Sequence, residues 1–490
     1  MTSSADHDIE ARRTLDLIGP TPDNWVPEHP GIDHNVFIIG GGQSGSAFAF
    51  ALRRAGIGKV TIVDGAPDAG LAGVWLTRAR MNKLRTPKVL VGPEGALAGL
   101  GFQSWFEARF GEAAYHALDR APRTLWADYL AWYRRFLSIP VRYGTQVVRI
   151  EPSNTDSAGW HFRVHLEIDG KHTVETARKI LLCNGVAGNG AAFLPDVFRD
   201  LPSALYMHTS QAIDFAALRG KRVAVVGGAA SAFDAAASAL EAGAAEVRQF
   251  VRRPALASVP IARARGYPGA YDNYWDLPDA LRWTQALRYK RSGSTAPRDA
   301  IDRVTQFDAY HLHLDAQWES AEVLDGTIAA DVKGERFPFD FAIAGTGYYI
   351  DPGARGELAD FARHIRLWGD QYTPASGDAD AGLAAHPYLG SALEYLEKHA
   401  GQAPYLKDIH VYNPAGFVSA GVPVGDVPSM KRDIPAVVRR ISRDLFLADI
   451  AQHTERLAAD IPADFTLADY EARVWRGAPR ASSDQQRNIP

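Results

Sequence analysis

The sequence predicts an α/β protein made of two Rossmann-like dinucleotide-binding domains, the second inserted in the first. Three observations carry that expectation. The segment NVFIIGGGQSGSAFAFALRRAGIGKVTIVDG, starting at Asn35, runs apolar strand, glycine turn, helix and strand in about thirty residues, the length of one βαβ unit. A second strand–turn–helix–strand pattern starts at Lys221 and ends near Arg253. The run FPFDFAIAGTGYY at 337–349 then reads as a buried strand delivering the chain to another glycine turn, after which the first sheet system resumes. The expected boundaries are an N-terminal arm at 1–30, a discontinuous first domain at 31–215 and 340–480, and a second domain at 216–339 with an irregular insertion at 254–318.

The elements follow in order. Residues 1–30 give a short amphipathic turn around Ile9–Leu17 and a Pro-rich tether, GPTPDNWVPEHPG, with Trp25 as a docking anchor ahead of the fold proper. After the first βαβ unit, Leu125, Tyr129, Leu130, Tyr133 and Phe136 recur at helical spacing and predict an amphipathic helix over 123–139. VRYGTQVVRIEP, GWHFRVHLEID and HTVETARKILLCNG then read as successive strands, the last apolar enough to be buried on both faces. Residues 254–318 are rich in Tyr, Trp and Arg, with LPDALRWTQALRYK as a helix, and are where substrate contacts are expected. From 380 to 450 helix and strand alternate up to a long C-terminal helix, and the tail RASSDQQRNIP is expected to be disordered.

Composition narrows the partners. A formal net charge of −4 over 490 residues gives no electrostatic footprint for nucleic acid or an anionic membrane, so a small-molecule partner is expected, with homo-oligomerisation left open. Cys183 is the single cysteine, which excludes an intramolecular disulfide, a CxxC redox pair and a Cys-rich zinc site; it reads as a buried structural thiol. His311 and His313 in HLHLD alternate like strand residues and lack a third ligand, so no metal is expected. The N-terminus carries charge where a secretory signal needs an apolar core, and no window reaches about 18 uninterrupted apolar residues, so a cytoplasmic protein is expected.

The first turn meets every contextual condition for a dinucleotide site. Gly40 allows the tight turn, Gly42 lets backbone approach a pyrophosphate and Gly45 lets helix and strand pack closely, while Gln43 and Ser44 open the helix. Asp64 ends the next strand, where a carboxylate accepts from a ribose 2′-OH and opposes a 2′-phosphate; the site suits FAD or NAD. The second turn departs from this pattern. Gly227 and Gly228 are kept, but Ala229 and Ala232 stand where glycines belong, with Ser231 between them. Ala232 takes the helix–strand packing position, where a slightly wider separation accommodates one methyl; Ala229 limits how closely a pyrophosphate approaches. Arg252 and Arg253 end the following strand, where the first site has Asp64, and guanidinium groups there suit the 2′-phosphate of NADPH.

An acid-ended first site, an arginine-ended second site and a later AGTGY turn, in this order, resemble the class B flavoprotein monooxygenases. That group includes flavin-containing monooxygenases, Baeyer–Villiger monooxygenases and microbial amine N-hydroxylases. The resemblance covers about residues 35–450 and rests on GGGQSG at 40–45, GVW at 73–75, HTSQAIDFAALRGKRVAVVGG at 208–228 and AGTGY at 344–348. It implies FAD at the first turn and NADPH at the second. It places Trp75 beside the flavin and gives His208 the place of the fingerprint histidine before the second turn. Gly73, Val148, Thr346 and Gly347 complete the expected cofactor contacts. The longer fingerprint's aromatic and glycine before that histidine are replaced by Pro202 and Ala204, and the flavin-side TNxxK-like stretch reads MNKLRTPK. Asn82, Arg85 and Thr86 are its candidate catalytic residues, each with a loop-capping or surface role as the alternative.

The implied activity is NADPH-consuming insertion of one oxygen atom from O2 into a nitrogen, sulfur or carbonyl substrate, through a C4a-(hydro)peroxyflavin. Three rivals bound it. A flavin disulfide reductase needs a cysteine pair that the chain lacks. An NADPH-dependent flavoprotein reductase or oxidase without oxygen insertion, and a non-catalytic nucleotide sensor, are compatible with the same motifs.

Overall fold

Runs such as Val36–Ile39 carry apolar side chains on both faces of a strand, and only a sheet covered on both sides buries both. The computed structural model, which describes residues 4–155 and 159–477, builds such a sheet first. Strands β1 (His34–Ile39), β2 (Val60–Val63) and β3 (Val141–Arg142) are parallel, and helix α2 (Gln43–Arg54) connects β1 to β2. β4 (Thr145–Thr155), β5 (Gly159–Ile168) and β6 (Lys171–Leu182) form an antiparallel meander. β6 changes character along its length: its first half is exposed against β5, whereas Ala177–Leu182 is buried and parallel to β1. The order is β3-β2-β1-β6-β5-β4, with a short strand at Ile409–Val411 added parallel to the end of β6.

A second sheet is wholly parallel. β7 (Tyr206–His208), β8 (Arg222–Val226), β9 (Glu246–Val251), β10 (Tyr310–Leu314) and β11 (Phe341–Ala344) lie in the order β10-β9-β8-β11-β7. Ser320–Leu324, Thr327–Val332 and Glu335–Phe339 form a separate antiparallel sheet. The chain is thus a mixed α/β protein with parallel sheet elements.

Four local expectations change. The boundaries at 215/216 and 339/340 cut through the second sheet, because β7 and β11 both pair within it; three-residue Tyr206–His208 is too short for periodicity to reveal. The irregular insertion is shorter than 254–318, since helix Arg298–Thr305 and β10 complete the second sheet. The stretch 380–450 holds one strand, Ile409–Val411, among short turns, before helix Val427–Ala448. The N-terminal arm belongs to the core: helix α1 (Ser4–Leu17) buries His7 and Ala11, and Trp132 donates to Asp8 at 2.7 Å. Trp25 does dock, donating to the Ala55 carbonyl at 2.8 Å.

Helix α3 (Arg123–Phe136) forms where predicted and buries Trp126, Tyr129, Leu130, Trp132 and Tyr133. By contacts the chain divides into a unit ending at Leu445 and one beginning at Phe446. In the latter, Phe446 stacks on His453, and Ile461, Phe465 and Trp475 are exposed. The expected disordered tail at 480–490 lies outside the described residues.

The two glycine turns solve one packing problem differently. A Cβ on Gly45 would stand 2.0 Å from the Gly40 carbonyl oxygen, so the first helix admits no side chain there. In the second, helix α4 (Ala230–Glu241) carries the Ala232 methyl at that position, and the space comes from Gly345 on the neighbouring turn, whose own Cβ would lie 2.6 Å from the Ala232 Cβ. The small residue has moved from the helix to the strand end, so the general widening expected from the sequence is unnecessary. Gly345→Ala is therefore expected to lower stability by about 1–3 kcal/mol through overpacking. Part of that loss should return in the Gly345→Ala/Ala232→Gly double variant, measured as a thermodynamic cycle by denaturant unfolding. Strict additivity of the two changes would contradict the packing argument.

Candidate functional site

Both turns lie at the carboxyl ends of parallel strands, the edge where open α/β sheets bind ligands. At the first, Gly40 has φ +108°, and a Cβ there would stand 2.3 Å from the Cys183 carbonyl oxygen. Gly42 is different: its φ is −67°, and an added Cβ would meet only the Gly73 Cα, at 3.6 Å. Gly73, with φ +81°, faces back toward Gly42, leaving a slot bounded by two bare backbones. Asp64 accepts from the Gly41 amide at 2.7 Å and from the Ala66 amide at 2.8 Å, which fixes its carboxylate against the turn. Gln43 accepts a hydrogen bond from the Trp126 indole at 3.2 Å, and Trp126 meets Trp75 edge-on at 6.4 Å between ring centroids. Ser44 is buried in the first turn of α2. Val148 is the irregular residue of a bulge in β4; Thr145, three residues before it, donates its amide to the Asp64 carbonyl at 3.0 Å.

The same edge holds residues that the sequence did not single out. Asn413 donates to Asn184 at 3.0 Å, immediately beyond the Cys183 carbonyl that faces Gly40. Asp426, just before the long helix that starts at Val427, has its carboxyl pushed up to about 6 by burial, against the opposing Ser429 amide. CNG at the end of a doubly buried strand was the one readable signal for Asn184. Asn413 and Asp426 are brought in by tertiary contacts from distant loops.

At the second turn, Gly227 has φ +140°, and a Cβ there would stand 2.2 Å from the Gly345 carbonyl oxygen. A Cβ on Gly228 would press on Val251 at 2.8 Å. Ala229 caps α4 in extended conformation, and Ser231 is exposed on its first turn. The arginine pair splits. Arg252 is exposed and makes no hydrogen bond or ion pair among the described residues. Arg253 instead donates to the carbonyls of Arg291 (3.2 Å) and Ser292 (3.1 Å), closing the end of helix α5 (Asp279–Ser292). The guanidinium that the spacing paired with a phosphate thus donates to a helix end almost forty residues downstream.

His208 ends β7, buried, with Nδ1 2.8 Å from the Ser210 hydroxyl and its ring edge-on to Tyr348. Burial holds its imidazole below the ordinary range, against the Gly347 backbone. Thr346 donates its hydroxyl to the Phe193 carbonyl, and the Gly347 carbonyl accepts from the Phe193 amide at 2.9 Å, so this turn is locked to the strand segment before it.

The three catalytic candidates are not brought together. Asn82 is exposed, and its backbone carbonyl accepts from the Arg123 amide at 3.0 Å. Arg85 pairs with Asp234 of α4 at 2.5 Å. Thr86 instead lines a cavity of about 440 Å3 with Leu84, Lys88, Glu94, Phe102 and Trp126. Lys88 is committed to the carbonyls of Tyr115 and Leu118, while burial raises the Glu94 carboxyl above its usual range.

Cys183 is half-buried, not fully buried, and burial pushes its thiol up. His311 faces Glu246 at 3.4 Å, and among the described residues no group of three metal-ligating side chains occurs. No described helix is long and apolar enough to cross a membrane.

The family described as L-lysine 6-monooxygenase/L-ornithine 5-monooxygenase matches residues 107–334. The FAD-dependent urate hydroxylase of Xanthomonas campestris pv. campestris is 38% identical over 429 residues, 87% of this chain and 89% of that protein. Among solved structures, ornithine hydroxylase from Pseudomonas aeruginosa aligns with a TM-score of 0.64 at 18% identity, covering 84% of this chain and 99% of its own. L-lysine 6-monooxygenase from Pseudomonas syringae gives 0.60 at 18% identity, covering 85% and 99%. At these identities the two structures speak to the fold.

Proposed function

The chain belongs to the class B flavoprotein monooxygenases, and from that membership we propose that it binds FAD at the first turn and NADPH at the second, and hydroxylates a nitrogen-rich heterocycle of the urate type. The observation that carries this reading is the 38% identity to a urate hydroxylase across 87% of the chain. The overall reaction consumes substrate, O2, NADPH and a proton and yields hydroxylated product, NADP+ and water. FAD supplies the oxygen-activating chemistry when bound, as NADPH supplies the hydride.

The residues fit these groups. The bare slot between Gly42 and Gly73 is one that a side chain would fill, and it admits a pyrophosphate against the backbone. Asp64 accepts two amides and has lone pairs left for a ribose hydroxyl. Arg252, exposed and uncommitted, is the residue for the 2′-phosphate, and Arg253 is not. The domain arrangement that goes with this reading is an NADPH domain inserted in a discontinuous FAD domain, with β7 and β11 assigned to the former. The cavity beside Trp126 is the proposed substrate chamber: Phe102 and Trp126 offer planar apolar walls, Glu94 an acceptor for ring N–H groups, and the Trp126–Gln43 hydrogen bond ties that wall to the first turn. Excluding water there is the protein's share of the oxygen chemistry.

With urate, NADPH and 18O2, the purified enzyme is expected to place one labelled atom in the product by mass spectrometry; L-ornithine and L-lysine serve as the amine comparison. NADPH oxidation that yields only peroxide with all of them would favour a reductase or oxidase instead. Gly42→Val is expected to purify folded but without flavin, read from the visible spectrum and the melting temperature, since its φ suits any residue; normal flavin content would remove the FAD assignment. Arg252→Ala should raise the KM for NADPH about ten-fold or more, the loss of a charge-assisted phosphate contact, and change that for NADH about two-fold at most. Equal effects on the two cofactors would refute the 2′-phosphate role.

A further inference from the structure

The second turn has a shortfall that Arg252 does not repair. Ala229 keeps a pyrophosphate away from the backbone amides, and weaker amide contact leaves two phosphate charges to be met by something else. The segment 78–88 supplies a candidate. It is fastened to the second sheet's residues by Arg80, which donates to the carbonyls of Thr209 (2.7 Å) and Gln211 (2.6 Å), and by Arg303, which donates to the Arg80 carbonyl at 3.0 Å. Farther along it, Arg85 lies 2.5 Å from one oxygen of Asp234, and Arg303 lies 3.2 Å from the other.

The two arginines are not equivalent. The Asp234 and Arg303 side chains are 6% and 11% exposed, whereas Arg85 is 36% exposed, so the buried carboxylate already has a buried counter-ion and Arg85 is the solvent-facing cation of the group. Arg303 is held further by Glu241, at 2.8 Å. Asp234 is the fifth residue of α4, about 6 Å along the axis from Ala230 at 1.5 Å per residue. Helical side chains lean toward the N-terminus, which sets the Asp234 carboxylate and the guanidinium on it over the preceding turn, at Ala230 and Ser231, the residues that follow Ala229.

We propose that Arg85 is a cofactor-binding residue of the second turn, reaching across from segment 78–88 to hold the pyrophosphate of the nicotinamide dinucleotide where Ala229 limits the backbone. This rests on the reading of that turn as the NADPH site. Asp234 is then a positioning residue that parks the guanidinium at the turn when no cofactor is there.

The test compares Arg85→Ala, Asp234→Asn and Arg252→Ala in the flavin-loaded enzyme, by the KM for NADPH and for NADH and by inhibition with 2′-AMP, which carries the 2′-phosphate and no pyrophosphate. Because both dinucleotides contain the pyrophosphate, Arg85→Ala should raise both KM values by a similar factor, roughly ten-fold for one charge-assisted contact, and leave 2′-AMP inhibition unchanged. Asp234→Asn, which loses the clasp but keeps the cation, should leave both KM values within about two-fold or lower them. If Asp234→Asn raises both as much as Arg85→Ala does, the pair is only a clasp and the assignment falls. It falls equally if Arg85→Ala is silent while Arg252→Ala responds. If both arginine variants are silent, the NADPH reading of the turn fails instead. Should Arg85→Ala not fold, Arg85→Lys applies: it keeps charge but not the bidentate fork, and an unchanged KM for both cofactors would overturn the proposal.

Discussion

Everything at the candidate site depends on how closely a helix can approach the strand before it. At the first turn that approach leaves no room for a single methyl, since a Cβ on Gly45 would sit inside the Gly40 carbonyl. At the second it is kept by a swap, with a methyl on the helix at Ala232 and none on the facing turn at Gly345. Both solutions bring the start of a helix to the carboxyl edge of a parallel sheet. Only there do bare backbone, oriented amides and strand-end side chains converge on one ligand-sized region. The Ala232-for-Gly change at the second turn therefore preserves the geometry of packing.

That difference shifts work from backbone to charge. Where Gly42 and Gly73 leave a bare slot, the first site can bind phosphate through the main chain and reserve its one carboxylate, Asp64, for a ribose. The second turn carries Ala229 where the first has Gly42, and guanidinium groups surround it or its helix: Arg80, Arg85, Arg252, Arg253 and Arg303. The hydrogen bonds sort them. Arg80, Arg253 and Arg303 spend their donors on carbonyls and carboxylates, which makes them parts of the scaffold. What remains for a ligand is decided by exposure and commitment, not by sequence spacing, and adjacent residues such as Arg252 and Arg253 fall on opposite sides of that division.

Much of this was legible in the sequence, and the part that was not has a common cause. The βαβ units, the α3 helix and the meander were readable because periodicity and glycine spacing are local. Tyr206–His208 escaped because a three-residue strand flanked by turns shows no period, whereas the alternation in HLHLD marked Tyr310–Leu314 as strand-like without showing that it joins the second sheet. The N-terminal arm looked detachable, yet its His7 and Ala11 face a core whose other half, Trp132, lies more than a hundred residues on. Site residues divided the same way. Gly40, Gly42, Gly45 and Asp64 form one local motif that spacing reveals, whereas Trp126, which donates to Gln43, and Asn413, which donates to Asn184 beside the Cys183 carbonyl facing Gly40, come from separate elements and carry no spacing signal. Spacing alone did not separate Arg253 from Arg252, because the helix end to which Arg253 donates lies almost forty residues downstream.

Segment 78–88 gives the two halves of the site a physical connection. It follows GVW, whose Gly73 faces the first turn, and its last residues, from Thr86 to Lys88, lie in the wall of the cavity beside Trp126. Between those points Arg80 and Arg85 anchor it to Thr209, Gln211 and Asp234, residues that flank the second turn. Gly73, bare against Gly42, and the arginines Arg80 and Arg85 thus belong to one short stretch of chain that meets the first turn at one end and helix α4 at the other.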